Sequence, residues 1–160
     1  MSTTAWTWRW PALEVDLSVT QEVAAVFRQY RQRRWQHERG GQLFATLDSA
    51  EGLTLVTATA PHPADRTSWT WLDLDPMRCK SEICQANARG ERLVGYWHTH
   101  PQAIPSISSQ DIASFQAFSQ HNHLFLPCPL AVIVGNADSQ AAVRAWSIRQ
   151  DSLHEAIMID

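Results

Sequence analysis

The run Leu93-Val94-Gly95-Tyr96-Trp97-His98-Thr99-His100-Pro101 is rich in β-forming residues and closes on a proline, which cannot donate to a sheet ladder. On a strand, His98 and His100 point to the same side, about 6–7 Å apart along the chain. Seven residues after Pro101, Ser108 opens a stretch that reads as a helix to about His121. Ser108 suits the N-cap, and Asp111 falls in the first turn, where a carboxylate complements the helix dipole. Pro105 keeps the intervening loop extended. Two imidazoles and a carboxylate meeting where a strand gives way to a helix make a nitrogen and oxygen donor set suited to Zn²⁺. The predicted ligands are His98, His100 and Asp111, with water in the fourth place, the arrangement of a catalytic rather than a structural site. Each residue alone has a plainer reading: an H-x-H pair can line a polar face, Asp111 can simply start a helix, and Ser108 can simply cap it. The spacing is what combines them.

Outward from this segment, strands and helices interleave. Trp6, Trp8 and Trp10 alternate with Thr7 and Arg9, predicting a strand that Pro11 ends. A helix follows, capped by Ser18 or Thr20, with Val23, Val26, Phe27 and Tyr30 on one face and an end near Arg34. Gln42–Leu47 and Leu53–Ala60 read as strands around the turn cluster Asp48–Gly52. Ser68–Asp75 alternates through Trp69 and Trp71 and predicts a further strand. Pro76–Gly90 reads as a helix, with Pro76 at N1 and Gly90 at C′. Leu130–Val134 predicts a short central strand and Val143–Ile148 the last. The alternating tryptophans are expected to fill core, although an exposed member of the first set would suit a protein interface. The expected fold class is α/β, a mixed central sheet flanked by helices, in a single domain over residues 1–160.

Composition sets the outer bounds. The 160 residues are 44% hydrophobic and 18% charged, a globular balance. A net charge of −3 gives no reason to expect nucleic acid or an anionic membrane as partner. No apolar run is long enough for a membrane span, and the N-terminal residues lack the pattern of a signal peptide. Three cysteines, Cys79, Cys84 and Cys128, fit no disulfide framework and favour a reducing compartment, so a cytoplasmic location is expected. Arg28, Arg31, Arg33, Arg34 and Arg39 crowd one region, more in keeping with a solvated surface than with an acidic partner. His121 and His123 form a second H-x-H, read as helix C-terminal capping. Cys128 lies between prolines, but the H-x-E and P-C-x-x-C of zinc deaminases are missing.

His98-x-His100-Pro101, with Ser108 and Asp111 eight and eleven residues beyond His100, resembles the JAMM motif of the JAB/MPN metalloproteases. That family also carries an upstream glutamate before a glycine-rich turn into a strand, and Glu38-Arg39-Gly40-Gly41-Gln42-Leu43-Phe44 matches it. The resemblance implies a JAB/MPN domain, cytidine-deaminase-like, acting as a zinc-dependent peptidase or isopeptidase. The run Gly40-Gly41-Gln42-Leu43-Phe44-Ala45 with Trp97–Pro101 is further similar to a bacterial subgroup of integrative and conjugative element proteins, which resemble the deconjugating peptidase of type II CBASS antiphage systems. A sister group acts on bacterial ubiquitin-like modifiers. The implied partner is therefore the conjugated tail of a cGAS-like nucleotidyltransferase or of a ubiquitin-like protein.

By this resemblance Glu38 is the general base, Ser108 the oxyanion donor, and residues 61–70 the flexible substrate-side loop. The plainer readings are a solvated Glu38 at a helix end and an ordinary surface loop. Gly40 and Gly41 are expected to permit positive φ in the turn and to let a substrate tail approach the backbone, two readings that can hold together. Two other classes stay open: a processing peptidase for a ubiquitin-like or sulfur-carrier protein, and a non-catalytic MPN scaffold, although scaffolds of that kind lack the ligands. Oligomeric state is not legible.

Overall fold

A computed structural model describes residues 3–33, 35–48, 52–121, 129–149 and 152–159. In chain order the strands are β1 (Thr4–Trp10), β2 (Val15–Thr20), β3 (Gly40–Asp48), β4 (Gly52–Ala58), β5 (Arg66–Thr67), β6 (Leu72–Asp73), β7 (Arg92–Thr99), β8 (Leu130–Val134), β9 (Val143–Arg149), β10 (Ser152–Glu155) and β11 (Ile157–Ile159). The helices are α1 (Gln21–Gln29), α2 (Pro76–Ala88) and α3 (Ser109–His121). Among the described residues no helix is long and apolar enough to cross a membrane.

Nine strands form one mixed sheet in the order β10-β9-β8-β7-β3-β4-β2-β1-β11. The β2–β4 and β7–β8 pairs are parallel, and the other neighbours are antiparallel. β10 and β11 stand at opposite ends of this order, yet only Ala156 separates them in sequence. The sheet therefore curls until one segment borders both of its ends. Glu155 pairs with Trp146 on one side, and Ile157 pairs with Arg9 on the other. The Ala156 N–H donates to Ala145 O at 2.9 Å, and Trp10 Nε1–H donates to His154 O at 3.1 Å across the seam.

The main core lies inside this curl. Trp6, Trp8 and Trp10 are buried, as their alternation predicted, and α1 packs Val23, Ala24 and Phe27 onto the same core. The rings of Phe27 and Trp97 meet edge-on at 5.7 Å. Thr20 is the cap of α1, its Oγ1 accepting from Val23 N–H, while Ser18 lies inside β2, a strand the sequence did not announce. α1 stops at Gln29, and Arg34 lies outside the described residues. On the outer face, Phe115 of α3 packs with Ala131 and Ile148 as a second, smaller core.

Three expectations need correcting. Ser68–Asp75 is not one strand but the tip and second arm of the β5–β6 hairpin, because the chain reverses between Thr67 and Leu72. Trp69 and Trp71 are 50% and 38% exposed instead of filling core; Trp69 meets the His37 ring edge at 4.9 Å. Neither Gly40 nor Gly41 has positive φ. A Cβ on Gly40 would lie 2.1 Å from Trp97 O, and one on Gly41 2.1 Å from Thr59 O, so the close approach they permit is by the chain's own neighbouring strands. By contrast Gly90, just past α2, does have φ of 81°. His123 and Cys128 lie outside the described residues.

Candidate metal centre

β7 runs between β3 and β8, with Gly40 opposite His98 and Ile133 beside it. Beyond the last strand residue, His100 N–H still donates to Val134 O at 3.0 Å, so the second histidine is held in line with the first before Pro101 turns the chain away. Arg39 and Thr99 clasp the upstream segment to this strand: Thr99 N–H donates to Arg39 O at 2.8 Å, and Arg39 N–H donates to Thr99 Oγ1 at 3.0 Å. Glu38, one residue earlier, is thereby placed against the histidines. Its own N–H donates to Ser68 O at 2.9 Å, which ties it to the substrate-side loop of the sequence reading.

The five residues singled out in the sequence come together. His98 Nε2 and His100 Nε2 are 3.2 Å apart. Asp111 places Oδ1 3.2 Å from His98 Nε2 and Oδ2 3.1 Å from His100 Nε2. Around a tetrahedral ion with bonds of about 2.0–2.1 Å, neighbouring donors lie about 3.3–3.4 Å apart. The three groups thus stand close to the spacing that a zinc ion between them requires. Glu38 Oε1 lies 3.8 Å from His100 Nε2, and donor atoms of Glu38, His98 and His100 fit within 4.8 Å of one another. The tighter triangle is the one made with Asp111, which leaves Glu38 beside the ion's place.

Ser108 and Asp111 sit at the start of α3 as the sequence suggested, and Ser108 does cap it. Gln102 was not anticipated. Its Oε1 lies 3.3 Å from His100 Nδ1 and accepts from Ser106 N–H at 3.0 Å. An amide oxygen there selects the tautomer with the proton on Nδ1, which leaves Nε2 free to bind a metal. The only trace in the sequence is a polar residue two places after His100.

A second unforeseen feature braces the site. Arg78 on α2 is buried, and its guanidinium donates to both oxygens of Asp65 (3.0 and 2.7 Å), to Glu82, to Thr59 Oγ1 and to Gly40 O. Asp65 also accepts from the N–H groups of His62 and Asp75. This hub fastens residues 59–75 and α2 to the first residue of β3, two places after Glu38. Two of the clustered arginines are likewise engaged: Arg31 pairs with Asp138 at 2.9 Å, and Arg39 donates to Tyr30 O and Arg31 O.

Electrostatics differ among Glu38, His100 and Asp111. Burial pushes the Glu38 carboxyl up, against the pull of His98 and His100. Burial opposes protonation of His100, but its hydrogen bond to Asp111 and the nearby carboxylates prevail, so its pKa is raised. Burial likewise opposes ionisation of Asp111, yet the bonds with His100 and His98 together hold its carboxyl far below the usual range. A cleft of about 470 Å³ opens from Glu38, His98 and Asp111. Its lining includes Leu72 and Leu74, Ser114 and Phe115 of α3, and Ala131 and Ile133 of β8.

A family model of prokaryotic homologs of the JAB domain matches residues 20–149. The chain belongs to that family. The match takes in the upstream glutamate, both histidines, Ser108 and Asp111. The JAB domain is also similar in fold to protein DSY2949 from Desulfitobacterium hafniense, at 20% identity and a TM-score of 0.59, covering 87% of this chain and 88% of that one. A protein from Salinibacter ruber is similar at 18% identity and a TM-score of 0.52, with 86% of each chain covered. No curated protein matches the chain. A JAB domain with an α/β fold and a Glu/His/His cluster is compatible with a metal-dependent hydrolase.

Proposed function

We propose that this JAB domain is a zinc-dependent peptidase or isopeptidase. The observation that carries the reading is the triangle of His98, His100 and Asp111 donors, 3.1–3.2 Å on each side, with buried Glu38 at its edge. A zinc ion held by these three supplies Lewis acidity, acidifying water and polarising a carbonyl. Glu38, whose burial favours a bound proton, takes one from the attacking water and passes it to the leaving amine. Ser108 Oγ accepts from Asp111 N–H, which leaves its own proton to donate to the oxyanion forming on the scissile carbonyl, worth about 3 kcal/mol. Gln102 holds His100 in the tautomer that keeps Nε2 available. No step needs a covalent intermediate or a cysteine; burial pushes the Cys79 thiol up to about 11, which keeps it protonated.

The substrate in this reading is the bond between a conjugated protein C-terminus and its target. The motif's likeness to the CBASS subgroup supports a cGAS-like nucleotidyltransferase tail as the conjugate, in a cytoplasmic antiphage system, with a ubiquitin-like modifier as the second possibility. Elemental analysis of wild type beside His100→Ala tests the metal part. About one zinc in the wild type and none in the variant is expected. A folded wild type that takes up no zinc would instead support the scaffold alternative.

A further inference from the structure

We infer that Arg144 is a positioning residue of the metal centre, which fixes the loop between His100 and Ser108 and with it the placement of Asp111 against the histidine pair. The inference rests on the metal-dependent reading above and adds to it a residue that touches no ligand. Residues 101–107 carry no helix or strand, so the chain between the strand-borne and the helix-borne ligands has no ladder of its own to set its path. Strand β9 and the turn before it set that path instead. His98, Ile133 and Arg144 are register partners across β7, β8 and β9, so their side chains share one face of the sheet.

From that row the Arg144 guanidinium reaches the loop. Its Nη1–H donates to Pro105 O at 2.6 Å, and Pro105 is the one buried residue of 101–107. Nε–H and Nη2–H each donate to a carboxylate oxygen of Glu155 on β10 at 2.6 Å, and the guanidinium lies 5.0 Å from the Trp146 ring centre. A two-point carboxylate contact holds the planar group in one orientation, which aims the third nitrogen at the loop. The turn after β8 grips the same loop. Asn136 N–H donates to Gln102 O at 2.8 Å, and Ala137 N–H donates to Ala103 O at 3.2 Å. Gly135 leaves no room for a side chain there: a Cβ would lie 2.4 Å from Ala103 O and 2.7 Å from Gln102 O. Gln102 is thus fixed by its backbone while its side chain meets His100 Nδ1. Pro105 stands three residues before Ser108, the cap that α3 and Asp111 follow. A loop released there lets the start of α3 drift against the histidines, and a metal site tolerates only about 0.2 Å of error in its bond lengths.

Metal binding alone tests this. Arg144→Lys keeps the charge but cannot hold Glu155 at two points and Pro105 O at once. Its zinc affinity, measured by chelator competition, is expected to fall about tenfold, and the visible absorption of the cobalt-loaded protein should change in position or intensity. Gly135→Ala should do the same by displacing the loop; if it does not fold, Arg144→Lys decides. The control is Val19→Ala, which opens the core on β2, three places from β7 in the sheet, and lowers the melting temperature. It should keep the wild-type zinc affinity and cobalt spectrum. Wild-type affinity and spectrum in folded Arg144→Lys would overturn the positioning role and leave the metal reading standing. An equal loss in Val19→Ala would overturn it too, since general loosening would then suffice. A folded wild type that takes up neither zinc nor cobalt would remove both readings together.

Discussion

Ser108 and Asp111 each hold the other's backbone: Ser108 N–H donates to Asp111 Oδ2 at 3.1 Å, and Asp111 N–H donates to Ser108 Oγ at 3.0 Å. This reciprocal cap fixes the carboxylate that also faces both histidines, so helix start and metal centre are one device. Ser108→Ala is expected to lower stability by about 1 kcal/mol through loss of the cap. Turnover should fall by about 10²–10³-fold, more than a cap alone would cost, because the oxyanion donor is lost as well. Ser108→Thr retains the hydroxyl and should recover the melting temperature. Melting curves and single-substrate kinetics on the three proteins separate the two effects.

Glu38→Ala should leave zinc content and fold nearly unchanged and reduce cleavage by about 10²–10⁴-fold. Wild-type turnover in a zinc-replete Glu38→Ala protein would exclude its role as base.

Gln102→Ala releases the His100 ring without touching a ligand. Zinc affinity is expected to drop by about 10–100-fold, measured by competition with a coloured chelator. Unchanged affinity would mean that the ring is held by its neighbours alone.

The Arg78–Asp65 pair predicts a pH dependence. Burial alone would raise the Asp65 carboxyl, but Arg78 and the N–H groups of Asp75 and His62 more than offset it, so its folded pKa lies below the ordinary 3.8. A depressed carboxylate stabilises the fold fully above its unfolded value, and that contribution is lost as pH falls through the folded value. Asp65→Asn should therefore be less stable at neutral pH by about 3 kcal/mol, the low end for a broken buried pair because Glu82 still faces Arg78. The gap to wild type should narrow only below pH 3.8. Urea titrations across the acid range measure it, and a gap that does not vary with pH would exclude the ionised pair as its source.

Much of the centre was legible because its residues obey local rules. His98 and His100 follow the two-residue period of a strand, and Ser108 and Asp111 follow the three-residue spacing of a cap. Trp6, Trp8 and Trp10 gave the inner face of β1 for the same reason. Trp69 and Trp71 alternate just as well, yet alternation names a face and not what covers it, and the β5–β6 hairpin leaves theirs uncovered. Asp65 and Arg78 are thirteen residues apart on a loop and a helix, so no period links them before the fold does. β10 and β11 escaped because Ser152–Ile159 lacks the turn residues that mark two strands. It is in effect one run shared between two partners.

That shared run has a kinetic consequence. Because Ile157 must find Arg9 while Glu155 stays on Trp146, closure joins segments from nearly opposite ends of the chain. Contacts this distant in sequence repay their loop entropy only late, which makes the seam a slow step. Until it forms, β1 has β2 on one side and an open ladder on the other, with Trp10 lacking its His154 acceptor. A ribosome that has released everything up to β9 is therefore holding a domain whose metal ligands are all made, but whose first strand can still pair with a stranger.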